Sequence, residues 1–173
     1  MYAFFKVVLA CSLWAQLIAS NPIDVSDLRG PIESRADPSL VGYLGAFFLG
    51  ADPYVYFYHS NGNSPVSFKA LNRGQSVIRP TKGTGGIRDP AIVSGGGTEA
   101  GKKWYIVGTD LDIAQTTWDA AQRTGSRGIF VWESTNLVDW TSERILMVEE
   151  ATAGMVWAPE AIWDASKSKV SNL

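Results

Sequence analysis

Apolar and polar positions alternate along most of this chain in short runs at a period of two, with helical spacing confined to one stretch. From Asp89 to Glu149 the alternation predicts four strands, Pro90 to Ser94, Lys103 to Thr109, Gly128 to Glu133 and Arg144 to Val148. Each is rich in β-branched or aromatic residues and bounded by turn formers. The preceding segment repeats the last three of these as YLGAFFLG, PYVYFYHS and SVIRP. Its polar tip SNGNSP matches STNLVD, and each tip leads to an aromatic expected to be buried, Phe68 or Trp140. A third unit opens at WAPEAIWD, where Pro159 to Ile162 echoes Pro90 to Ile92 at a spacing of about 70 residues. Four-stranded sheets repeated in series predict an all-β chain built as blades of a β-propeller, in which each sheet buries its faces against its neighbours. Helical spacing is expected only around Thr116 to Arg123, in the loop between the second and third strands of the full blade.

The ends of the chain follow a different pattern. Met1 to Ser20 reads as a signal peptide: Lys6 gives the positive start, Val7 to Ile18 the apolar centre, and Ala19 and Ser20 the small residues of a cleavage site. The apolar run is too short and interrupted to span a membrane. Residues 1–20 are therefore assigned to a leader, 21–42 to a polar N-terminal arm, and 43–173 to a partial β-propeller domain, and the leader implies a secreted, extracellular protein. The single cysteine, Cys11, falls within the leader, so the mature chain lacks the thiols for a disulfide or a thiolate metal site. A net charge of -2 offers no electrostatic case for nucleic acid or an anionic membrane as partner.

Candidate chemistry rests on carboxylates. Inner strands of propeller blades line one central channel, so acidic groups at equivalent places in successive blades converge on a common cavity. Asp89 opens the first strand of the full blade and Glu160 holds nearly the same place in the next unit. An Asp-Pro pair also serves as an ordinary turn that caps local amides, and Asp37 and Asp52 are read that way. Arg88 is placed either to hold a carboxylate or a hydroxyl with its planar donor fork, or to bridge to a neighbouring blade. Trp157 is suited to stacking on a flat apolar ligand face and equally to a blade core, whereas Trp163 is read as core. Asp110 and Asp112 follow a strand and are read chiefly as turn residues. His59 has no second histidine to form a metal site.

The run GTGGIRDPAIV, then KWYIVGTDL, then SRGIFVWESTNLVDW, and finally GMVWAPEAIWD resembles the family 43 glycoside hydrolases, a group of five-bladed propeller enzymes that includes arabinanases, α-L-arabinofuranosidases and β-xylosidases. The resemblance covers Tyr43 to Asp164. It implies a secreted hydrolase of arabinose- or xylose-containing plant cell-wall polysaccharides that works by inversion, with its acid and base roughly 6.5 to 9.5 Å apart around the attacking water. Asp89, in IRDPAIV, matches the general base; Arg88, Trp157 and Glu160 are expected on the substrate, with a structural role an equal alternative for Glu160, and a polysaccharide or oligosaccharide is the expected partner. No cofactor or metal ligand is assigned, and a calcium ion in the channel is left open. The acid and the third carboxylate would lie beyond Leu173, so the chain is expected to be an incomplete, inactive portion of a longer enzyme. A non-catalytic glycan-binding module or an inert fragment is the alternative.

Overall fold

Residues 41–172 are described by a computed structural model, and β-strands dominate them. The proposed leader, Asp37 and all but the end of the proposed arm lie outside the described residues. Three antiparallel sheets follow one another along the chain. The first comprises β1 (Leu44–Phe47), β2 (Tyr56–Ser60) and β3 (Phe68–Ala70). The second comprises β4 (Ile87–Ser94), β5 (Trp104–Asp110), β6 (Gly128–Ser134) and β7 (Arg144–Met147), hydrogen-bonded in that order. A hairpin of β8 (Ala161–Asp164) and β9 (Lys169–Asn172) forms the third.

The alternation in the four-stranded sheet has a direct packing counterpart. Ile92, Ile106, Phe130, Trp132 and Ile145 face one way and join Val55, Phe57 and Ile78 of the preceding segment in the main core. Their neighbours in sequence, Ala91, Val93, Tyr105, Val107, Ile129 and Val131, form a second cluster that includes Ala161 of β8. Both faces are thus apolar, which is why β5 and β6 read as nearly continuous hydrophobic runs. Full burial of each such side chain contributes about 1.5–3 kcal/mol before chain entropy is subtracted.

Two local expectations are corrected in the first sheet. SVIRP is not its third strand: Ile78 makes only an isolated bridge to Val55, while Phe68–Ala70 pairs with β2 in full register. Val77 and Ile78 are apolar because they pack into the core between sheets. Phe68 is exposed and meets Phe47 edge-on, with ring centroids 6.1 Å apart, whereas Trp140 is half-buried and packs edge-on against Phe57 at 5.9 Å.

The helical expectation at TTWDAAQR corresponds to α1 (Trp118–Thr124). Thr117 caps it by accepting from the Ala120 N–H, and Ala121 anchors it against Leu111 and Met155. The glycine-rich loop SGGGTEAG accommodates an aromatic ring. A Cβ added to Gly96 would stand 2.1 Å from Cγ of Trp163, so this glycine lets β8 lie against the loop, and Trp163 is a packing residue.

Candidate active site

Asp89 sits inside a β-bulge. Strand β4 pairs Arg88 with Thr109 and then Ala91 with Val107, leaving Asp89 and Pro90 together opposite Gly108. The bulge turns Asp89 to φ 48°, a left-handed conformation that costs a non-glycine residue of order 1–3 kcal/mol and is held only by surrounding structure. Gly108 is part of that structure. A Cβ there would lie 2.3 Å from Cδ1 of buried Ile87 and 3.2 Å from the Arg88 carbonyl oxygen, so the close approach of β5 to the bulge requires glycine. The first strand of the blade accordingly begins at Ile87, with the carboxylate at an irregularity within it rather than at its start.

Arg88 is flanked by aromatic rings. Its guanidinium carbon lies 4.8 Å from the centroid of Phe48 and 5.2 Å from that of Trp118. Trp118 in turn stacks on Trp157, with centroids 6.4 Å apart and planes inclined by 23°. The Arg88 side chain makes no ion pair and no hydrogen bond with other described residues, so the neighbouring-blade salt bridge has no counterpart among them.

Thr109 links the two motifs. It is fully buried, lies opposite Arg88 in the sheet, and its Oγ1 accepts the Ala158 N–H at 2.8 Å. Ala158 is itself left-handed, at φ 41°, so this bond holds a strained turn in place and brings Trp157 towards Trp118. Glu160, two residues further on, is exposed and makes no hydrogen bond or ion pair with another described residue. The structure therefore joins Arg88, Trp157 and the backbone beside Asp89 into one surface, and leaves Glu160 outside the contacts that define it.

The other acidic candidates serve the scaffold. Buried Asp110 accepts the Thr84 N–H and hydroxyl, both at 2.8 Å, and fixes the loop before the bulge. Asp112 caps the turn at Ile113–Gln115 by accepting from the Ala114 N–H. Among the described residues no group of three or more His, Cys, Asp or Glu side chains gathers as a cation site. A cavity of about 360 Å³ lies between the second hydrophobic cluster and the β8–β9 hairpin and is lined by none of Arg88, Asp89, Trp157 and Glu160.

Sequence reasoning missed Phe48, Thr109 and Trp118 as members of this surface. The available signal for Trp118 was one large aromatic in an otherwise polar helical stretch, which burial in a core does not explain.

A β-sheet scaffold with one carboxylate on a strained bulge beside a cation and flat aromatic surfaces has the makings of a carbohydrate site. The family comparison agrees. The model of a family related to family 43 glycoside hydrolases, described as a probable glycosyl hydrolase domain, matches residues 38–171, and the chain belongs to that family. An alpha-L-arabinofuranosidase of Bifidobacterium longum subsp. longum is 36% identical over 107 residues, which cover 59% of this chain and 10% of that protein. The chain thus spans about a tenth of the length of this curated relative. No solved structure matches the chain.

Proposed function

We propose that these sheets belong to a five-bladed propeller of a secreted, inverting glycoside hydrolase acting on arabinose-containing plant polysaccharides, with Asp89 as its general base. The observation that carries the reading is the place of Asp89: a carboxylate held in a left-handed bulge, next to an arginine that lies against two aromatic rings. Membership of a glycosyl hydrolase family supports the reaction class, and the name of the bacterial relative supports arabinofuranose over xylose. The apolar leader supports secretion.

In this mechanism Asp89 takes a proton from a water molecule as the water oxygen attacks the anomeric carbon. The bond from that carbon to the glycosidic oxygen breaks on the opposite face, and an acid delivers a proton to the departing oxygen. No described residue is assigned as that acid. Arg88 donates to sugar hydroxyls, Trp157 supports the apolar face of the ring, and Glu160 accepts from a hydroxyl further along the glycan. A glycan-binding role without hydrolysis is the second reading, favoured by the exposure of Trp118 and Trp157, at 49% and 39%.

Proton NMR of an α-arabinofuranoside undergoing hydrolysis by the enzyme that carries this domain tests the mechanism. Inversion delivers the β anomer first, and initial release of the α anomer would overturn it.

A further inference from the structure

We propose that Trp118, at the start of α1, is a specificity-determining residue whose exposed indole seats an arabinofuranosyl ring while also holding Arg88 and Trp157 in line to receive it. The proposal deepens the reading above and rests on its choice of an arabinose-containing glycan.

Three observations carry it. First, α1 has an attachment other than Trp118. Ala121, 1% exposed, is its anchor against Leu111 and Met155, while Trp118 leaves 49% of its surface in water. A large flat ring is thus displayed from a helix that also has a buried anchor. Second, the guanidinium of Arg88 has an aromatic neighbour at each of Phe48 and Trp118, yet its N–H groups are unused among the described residues. A cation against aromatic faces keeps its in-plane donors available, and those donors suit hydroxyl groups and ether oxygens. Third, Trp157 stacks on Trp118 nearly parallel, at 6.4 Å and 23°, and is itself 39% exposed. The pair extends the apolar surface alongside the donors.

A neutral sugar ring has matching chemistry, with an apolar C–H face for an indole and a rim of hydroxyls for the guanidinium. Asp89 follows Arg88 directly on the same bulge, so the surface that holds the ring and the proposed base share one rigid piece of backbone. Trp118 comes from the connection between β5 and β6, whereas Arg88 is on β4 and Trp157 follows β7; the recognition surface needs all three segments in place.

The test is oxidative footprinting of the whole chain with limiting N-bromosuccinimide, mapped by peptide mass spectrometry with and without arabinotriose, alongside calorimetric titration of the same sugar. Trp118 and Trp157 should oxidise ahead of Trp132, which is 2% exposed, and arabinotriose should slow both by about threefold or more while leaving Trp132 unaffected. Trp118→Ala should weaken arabinotriose binding by about tenfold in a variant that remains folded, and Trp118→Phe should restore most of the loss. Binding that leaves Trp118 oxidation unslowed, or a Trp118→Ala variant with wild-type affinity, would overturn the proposal and leave the arabinose reading standing. No heat and no protection at any tryptophan would remove both. If Trp118→Ala does not fold, footprinting of the unmodified chain still decides.

Discussion

Replacing Thr109 by Val tests the joint between the bulge and the Trp157 turn. The substitution keeps the side-chain shape at a fully buried position and removes only the oxygen that accepts the Ala158 N–H at 2.8 Å. A hydrogen bond of this kind contributes about 0.5–1.5 kcal/mol net, and a donor left unpaired in the interior raises the loss to about 1–3 kcal/mol. Ala158 is exposed, so water can reach its N–H, and the loss should stay near 1 kcal/mol. That corresponds to about fivefold faster hydrogen exchange at the Ala158 amide and a fall in melting temperature of only a few degrees. Thr109→Ser provides the contrast, because it keeps the hydroxyl and loses a buried methyl, costing about 1 kcal/mol of global stability while sparing the Ala158 amide. Exchange measured by mass spectrometry or NMR on both variants separates the two effects. Unchanged exchange at Ala158 in Thr109→Val would refute the claim that this hydroxyl holds the turn.

Three further perturbations probe the scaffold. Gly108→Ala drives a Cβ against Ile87 and the Arg88 carbonyl, so urea unfolding should show a loss of about 1–3 kcal/mol, and an unchanged midpoint would contradict the close approach at the bulge. Gly96→Val collides with Trp163 and should detach the β8–β9 hairpin, seen as faster proteolysis within residues 161–172; wild-type resistance would show that the ring is not seated there. Glu143 is partly buried, which works to raise its pKa, but hydrogen bonds from the Thr81 hydroxyl and N–H prevail and hold it below its ordinary value of 4.5. Its stabilising contribution is therefore present above that value and is lost as pH falls through the lower folded-state pKa. Acidification should loosen the Thr81 loop, and Glu143→Gln should abolish this part of the pH dependence of exchange there.

The strands of the four-stranded sheet were legible because their alternation places one row of side chains in each of two apolar clusters. Where burial and pairing part company, the pattern misleads. Val77 and Ile78 are apolar for the core but carry almost no ladder, while β3 has a full ladder and an exposed face. The motif around Asp89 was visible in sequence as IRDP, yet its left-handed φ and its two-against-one pairing arise from β5, through Gly108. Trp118 had no sequence signal linking it to Arg88, because their approach depends on how the loop carrying α1 folds back over β4. Secretion, propeller closure and the catalytic roles rest on the leader pattern and the family resemblance.

The role of Asp89 is tested most directly by hydrolysis of an arabinofuranoside of dinitrophenol, by the enzyme that carries this domain and by its Asp89→Asn variant. Dinitrophenolate departs readily without a proton, so such a substrate bypasses the general acid, whose help is otherwise worth roughly 100- to 10,000-fold, and isolates the step assigned to the base. The account predicts measurable turnover by the unaltered enzyme and its loss in a folded Asp89→Asn variant that still binds arabinotriose. Equal turnover by the two proteins would contradict it.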